Sequence, residues 1–352
     1  MSNKEAILLI NLGSPDSCET ADVKRYLDEF LMDEYVIDLP YVLRALLVKG
    51  IILNTRPKKS AAAYKSIWWE EGSPLIVLSK RLQAKLQTKT STPVGLAMRY
   101  ASPSIQEGIQ SLLDQHPDLE HIKLISLYPH YAMATTLTVL EKCKQVIKTQ
   151  FPTLKASWMP PFYKHPLYID AIAKTIQDAR EKQAFDHLLF SFHGVPERHV
   201  KKTDPSKKHC MKVNNCCYSP SPAHHDCYSH HCHSSARLIM QRCNLNDANS
   251  SIAFQSRLGS DPWLSPPTDR RIEALAKSGV KHLAVICPAF ISDCLETLEE
   301  IGEEGKEIFE EHGGESFQLI PCLNDQDHWV ETLLTLINKQ PFENLFHYQK
   351  QV

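Results

Sequence analysis

Short, unbroken apolar runs recur along the chain, and after most of them the apolar residues respace to every third and fourth position. Ala6–Leu12, ending at Gly13, is such a run, and Val23, Tyr26, Leu27, Phe30 and Leu31 form the stripe that follows. A continuous run fits a parallel strand covered on both faces, and an i, i+3, i+4 stripe fits a helix with one buried side. Val94–Tyr100, Ile122–Tyr128, His187–Phe192, Ile252–Gln255, His282–Cys287 and Phe317–Pro321 repeat the first pattern. The second recurs at Ile105, Ile109, Leu112 and Leu113, at Leu137, Leu140 and Ile147, at Ile272, Leu275 and Ala276, and at Leu295, Leu298 and Ile301. Strands alternating with helices predict right-handed βαβ units and an α/β fold with parallel sheets. There is no Gly-x-Gly-x-x-Gly fingerprint and no phosphate loop, which disfavours a Rossmann-type nucleotide enzyme.

At 352 residues the chain is long enough for two domains. Pro160, Pro161 and Pro166 mark a seam, so the expected lobes are 1–165 and 166–325, followed by a C-terminal helix and tail at 326–352. The 39 basic and 41 acidic residues leave no basic excess, which argues against a nucleic-acid partner. No apolar run is long enough to span a bilayer, and no basic amphipathic helix stands out. The opening Met1-Ser-Asn-Lys-Glu-Ala leads straight into the first strand with no signal peptide, so a cytoplasmic location is expected.

Cysteine is the abnormal number. Five of the eleven (Cys210, Cys216, Cys217, Cys227 and Cys232) fall within 23 positions, inside a Cys- and His-rich stretch at 199–233 that shows no periodicity and reads as an insertion. Without a secretion signal, metal or cluster ligation is favoured over disulfides. The spacing contains no Cys-x-x-Cys zinc knuckle, whereas four irregularly spaced thiolates are compatible with a [2Fe–2S] cluster. Neighbours in an extended loop point apart, so one of the adjacent pair ligates: Cys217, with Cys216 the alternative. Zinc stays open because six histidines share the stretch, and so does a loop that binds nothing.

In doubly wound folds ligands bind at the carboxyl ends of strands. His193-Gly194-Val195-Pro196 stands at such an end, with an imidazole that either faces a cleft or is a hydrogen-bonded structural histidine. After the run ending at Cys287, Glu296, Glu300, Glu303 and Glu307 are spaced to share one helical face. They form either a solvated surface or a row of hard oxygen donors for a divalent cation. Met98-Arg99-Tyr100, the stretch from Phe254 to Trp263 and the stretch from Tyr64 to Pro74 add arginine, tyrosine and tryptophan suited to a flat, anionic, aromatic ligand.

Four motifs in order resemble the ferrochelatases. They are Asn11-Leu12-Gly13-Ser14-Pro15; Ser191-Phe192-His193-Gly194-Val195-Pro196; Phe254-Gln255-Ser256-Arg257 with Pro262-Trp263-Leu264; and Asp293-Cys294-Leu295-Glu296-Thr297-Leu298-Glu299-Glu300-Ile301. The resemblance runs from about Ala6 to Asn324. It implies two Rossmann-like lobes, each a parallel sheet flanked by helices, with a porphyrin cleft between them and a C-terminal helix returning to the first lobe. The implied reaction inserts Fe²⁺ into protoporphyrin IX with loss of two protons. Coproporphyrin III as substrate, or a non-catalytic haem or iron sensor, are the alternatives.

By the same resemblance, His193 and Glu296 are catalytic, and His193, Glu296 and Glu300 handle the metal. Leu12, Arg56, Tyr64, Ser73, Arg99, Tyr100, Arg257, Trp263 and Asp293 match porphyrin-side positions. Some bacterial members hold a [2Fe–2S] cluster on an internal cysteine-rich segment, which here implies Cys210, Cys217, Cys227 and Cys232. One departure is Cys294, where some relatives carry a second histidine. Oligomeric state and peripheral membrane docking are left open.

Overall fold

The computed structural model describes residues 4–257, 259 and 261–348, so the expected tail lies partly outside them. The chain forms two compact units. One takes the chain up to Tyr128, Met133–Pro160 and the stretch from Asp325; the other takes Pro129–Ala132 and Pro161–Asn324. The strands in chain order are β1 (Glu5–Asn11), β2 (Val94–Met98), β3 (His121–Ser126), β4 (Lys155–Trp158), β5 (His187–His193), β6 (Ser250–Gln255), β7 (His282–Ile286), β8 (Ser316–Leu319) and β9 (Glu343–Asn344).

The first unit holds a sheet in the order β2-β1-β3-β4-β9, parallel except for the last pair. β1 is central and buried from Ala6 to Asn11, as its unbroken apolar run requires. Leu8 and Ile10 pack with Ala97, Ile109, Leu124, Leu140 and Trp158, and Leu345 from the chain's end joins the same core. Full burial of each such aliphatic side chain contributes roughly 1.5–3 kcal/mol. Helix Ile105–Gln115 starts at Ser104, whose hydroxyl accepts from the Glu107 N–H while the Glu107 carboxylate accepts from the Ser104 N–H. β4 has only four residues, two of them polar, so it leaves no apolar run to read. β2 stops at Met98 rather than Tyr100, and the chain turns at Ala101 with φ +57°.

The second unit holds an all-parallel sheet in the order β6-β5-β7-β8. Its register places His193 beside Gln255 at the carboxyl ends of β5 and β6. Two expectations are corrected here. The glutamate-rich segment is not one α-helix: Leu295–Leu298 is α-helical, Glu300–Gly305 is π-helical, and α-helix resumes at Lys306–Glu311. The Glu304 N–H reaches back five residues to the Glu299 carbonyl at 3.0 Å, and this wider turn breaks the expected face. Glu303 and Glu307 are exposed while Glu300 turns inward.

The second correction concerns 199–233. Its last residues enter helix Tyr228–Arg242, which buries Tyr228, Ser229, His231, Cys232, Ser235, Ala236 and Ile239. That is helical spacing written in Cys, His and Ser, and hydropathy alone does not register it.

Candidate active site

His193 closes β5, and the turn that follows is forced by close approach. A Cβ on Gly194 would lie 2.8 Å from the Gln255 carbonyl oxygen and 3.2 Å from the Trp263 ring. The Gly194 N–H instead donates to that carbonyl at 2.7 Å. His193 Nδ1 lies 2.6 Å from the Gly194 carbonyl oxygen, an acceptor only, so Nδ1 carries a proton and Nε2 is the nitrogen left for other chemistry. The Tyr228 hydroxyl donates to the His193 carbonyl at 2.8 Å and fixes the strand end from the other side.

Glu296 and Glu300 are tied to this turn through β6. Gln255 Nε2 donates to the Glu296 carbonyl oxygen at 2.6 Å and lies 3.5 Å from Glu300 Oε2. Ser256, in the left-handed region at φ +64°, turns both its N–H (2.7 Å) and its hydroxyl onto the Glu300 carboxylate. Burial pushes the Glu300 carboxyl up from its ordinary value, against the pull of the Ser256 hydroxyl. A cavity of about 420 Å³ opens beside this network, lined among others by Arg257, Thr268, Glu300 and Glu304. Arg257 is exposed and Trp263 half-buried, with its Nε1 unpartnered. Asp293 is buried beneath the helix and accepts from Thr297 Oγ1 (2.9 Å) and Asn324 Nδ2 (2.7 Å). Asp293 therefore anchors the segment that carries Glu296.

The remaining porphyrin-side candidates lie in the first unit. Gly13, at φ +109°, passes so close to the Tyr100 carbonyl that a Cβ would fall 2.0 Å from its oxygen. Leu12 beside it is half-buried. Arg99 and Tyr100 form a wall rather than a surface. Tyr100 is 0% exposed and its hydroxyl donates to Asp33 at 2.9 Å, while the Arg99 guanidinium pairs with Asp33 and donates to Thr138 Oγ1 at 2.7 Å. Tyr64 is buried edge-on against Tyr26 and Trp68. Ser73 is buried at the start of helix Pro74–Thr88, and Arg56 is exposed at the start of helix Pro57–Ile67.

The family model described as Ferrochelatase matches residues 4–341. A ferrochelatase of Ectopseudomonas mendocina is 53% identical over 338 residues, covering 96% of this chain and 98% of that protein. The chain belongs to the ferrochelatase family. A Pseudomonas fluorescens ferrochelatase is 49% identical with the same coverage. Among solved structures, SirB from Bacillus subtilis with Fe³⁺ aligns with a TM-score of 0.52 at 12% identity, covering 96% of this chain and 95% of that one. This likeness concerns the fold alone.

In this ferrochelatase-family chain the cysteine segment is built around Asp204. Burial alone would raise its carboxyl, but the Ser206 hydroxyl and the N–H groups of Cys210, His209 and Ser206 outweigh that and hold it below the usual carboxylate range. Cys210 Sγ thereby sits 3.7 Å from Cys227 Sγ. Thiolates sharing one tetrahedral metal, at about 2.3 Å each, stand about 3.8 Å apart. Cys217 and Cys232 are buried, and Cys216 is half-exposed. Burial pushes the Cys217 thiol up to about 12. Among the described residues no group of three or more His, Cys, Asp or Glu is arranged to hold a metal ion. The histidines are engaged elsewhere: His231 stacks on Tyr163 and donates to the His224 and His225 carbonyls, and His209 and His224 both donate to the Cys216 carbonyl.

Sequence reasoning passed over Gln255, Ser256, Ser191, Thr268, Asn324 and Asp204. Gln255, Ser256 and Ser191 stand inside motifs whose more distinctive members are Arg257 and His193. The others carry no signal of their own, because an ordinary polar residue becomes informative only when it is buried with its partners.

Proposed function

We propose that this chain carries out the reaction its family name states, inserting Fe²⁺ into protoporphyrin IX in the cytoplasm, with His193 and Glu296 as the catalytic residues. The observation that carries this reading is the His193 imidazole. Its Nδ1 proton is committed to the Gly194 carbonyl, and its turn is linked through Gln255 to Glu296 and Glu300. Two pyrrole protons must leave as the metal enters, and a neutral imidazole with a free Nε2 suits that task. Carboxylate oxygens suit a hard divalent cation, so Glu296 and Glu300 handle the incoming metal. A bent porphyrin exposes its nitrogen lone pairs, which is a form of bound-state distortion. Leu12, Arg56, Ser73, Arg257 and Trp263 are the proposed porphyrin-side residues. Arg99, Tyr100, Tyr64 and Asp293 support them from behind.

The test offers the purified protein protoporphyrin IX or coproporphyrin III with anaerobic Fe²⁺ or with Zn²⁺ and follows absorbance. Metalloporphyrin formation from protoporphyrin is expected. Insertion into coproporphyrin alone would change the substrate, and binding without turnover would favour a sensor.

The proposed [2Fe–2S] cluster would be held by Cys210, Cys217, Cys227 and Cys232. Such a cluster takes thiolates two to an iron, and the spacing of Cys210 and Cys227 suits one such pair. When bound, it supplies structural order to a loop with little apolar core, since metal insertion moves no electrons. Cys216, half-exposed, is the weaker fourth ligand.

A peripheral membrane contact is also proposed, on the first unit. No helix among the described residues is long and apolar enough to cross a membrane. Yet Tyr41, Val42, Leu43, Leu46 and Ile51 are 54–66% exposed within one short helical stretch. Lys49, Arg56, Lys58 and Lys59 lie in or just after it, and no acidic residue occurs between Asp38 and Glu70. Exposed apolar groups beside cations, of which Lys49 is paired with Asp28 at 3.7 Å, suit an anionic lipid surface. Flotation with vesicles containing phosphatidylglycerol should recover the protein, and Leu43→Glu with Leu46→Glu should release it. Equal recovery of that double variant would overturn the contact.

A further inference from the structure

We infer that Gln255 is a positioning residue for the metal-handling carboxylates, its amide held in one orientation by a directed hydrogen-bond chain from Thr268 through Ser191. The inference rests on the proposed role of Glu296 and Glu300. Gln255 is 3% exposed at the end of β6, where the register sets it beside His193. Its main-chain carbonyl accepts the Gly194 N–H, so its backbone belongs to the His193 turn. Its side chain belongs to the carboxylate segment, with Nε2 2.6 Å from the Glu296 carbonyl oxygen and 3.5 Å from Glu300 Oε2.

A primary amide can point either way, and what decides it here is the Glu296 carbonyl, which can only accept and so faces Nε2, leaving Oε1 to the Ser191 hydroxyl. That hydroxyl has one proton, and it lies 2.7 Å from Gln255 Oε1 and 2.9 Å from Thr268 Oγ1. Because Oε1 only accepts, the Ser191 proton goes to Gln255, and Thr268 must donate to Ser191. The Cys287 thiol, 3.7 Å away, also donates to Oε1. With Oε1 engaged by two donors, Nε2 faces the glutamate segment. There the Glu296 carbonyl lies just where the chain passes from α- to π-helical winding. A π turn inside an α-helix is rare and occurs mostly at functional sites, and here the amide bonds to the chain just before it. Gln255 therefore acts through the segment that carries the two glutamates. It sets where the two carboxylates stand relative to the His193 turn.

The test compares Gln255→Leu and Ser191→Ala with the wild type in Zn²⁺ and Fe²⁺ insertion into protoporphyrin IX. It measures KM for the metal, kcat, porphyrin affinity by fluorescence quenching, and thermal midpoint. Partners that orient metal-handling side chains typically matter by roughly 10–100-fold. Gln255→Leu is expected to raise the metal KM by about 10-fold or more with porphyrin affinity unchanged. Ser191→Ala, which frees the amide to rotate, should shift it in the same direction by less. A residue serving only to hold the fold would lower the thermal midpoint and the active fraction while leaving the metal KM alone, and that result overturns the inference. Glu300→Gln, run beside them, separates the two readings. An unchanged metal KM there overturns the role of the glutamate, whereas a changed one, with Gln255→Leu unchanged, overturns the role of Gln255 alone.

Discussion

His193 donates from Nδ1 to the Gly194 carbonyl, and this bond decides which nitrogen can take a proton. The same bond orients the ring. His193→Ala is expected to lose about 10²–10⁴-fold in metal insertion, the usual contribution of a positioned base, while porphyrin binding persists. Absorbance gives the rate and fluorescence quenching the binding, and retention of more than about a tenth of the rate would contradict the role. Cys294 shows how a single substitution is absorbed. Its thiol caps helix Leu295–Leu298, and its N–H donates to Thr297 Oγ1 at 3.0 Å, so a residue marked by the sequence as a departure is buried as a helix cap.

At the scale of elements, the cysteine segment depends on one carboxylate more than on any apolar group. Asp204 receives the Ser206 hydroxyl and the N–H groups of Ser206, His209 and Cys210 at 2.7–3.0 Å. A buried donor left without a partner costs about 1–3 kcal/mol. Asp204→Ala should therefore loosen residues 204–217 in hydrogen exchange and release Cys210 from its position beside Cys227. Cys227→Ser should bleach the visible absorption of any iron–sulfur cluster, and Asp204→Ala should lower iron and sulfide content without removing a thiol. Unaltered exchange in Asp204→Ala would show that the segment is ordered by something else. The glutamate segment makes the complementary point. Its spacing promises one α-helical face, but the π turn at Glu300–Gly305 sends Glu300 inward onto Ser256 and leaves Glu303 exposed.

At the scale of the molecule, stability should fall with acid through buried neutral histidines. His130, in the second unit, is held down to about 3 by burial, against an ordinary value of 6.5. The unfolded chain therefore gains this proton near 6.5, while the folded chain does not gain it until near 3. Its contribution is complete above the unfolded value and declines as pH falls, by about 1.4 kcal/mol per unit. Urea midpoints at about pH 7.5 and about pH 5.5 should differ accordingly, and His130→Gln should flatten the difference. An equal slope in that variant would assign the acid sensitivity to other groups.

The alternation of apolar runs with helical stripes was enough to derive the α/β class, because burial of a parallel strand on both faces leaves its mark in consecutive residues. Strand ends followed by Gly, Pro and polar residues marked the segments that carry His193 and Glu296, and the resemblance to the family singled out those two residues. What the sequence could not determine depended on partners far apart in the chain. Gln255 and Asp204 are ordinary polar residues until 2.6–3.0 Å contacts define them. The exposure of Leu43 and Leu46 shows only in the folded chain. The burial of Tyr100 and its bond to Asp33 show only in the folded chain. Periodicity is local and survives in one dimension, whereas burial, hydrogen-bond direction and exposure are relations between segments that only the tertiary structure brings together.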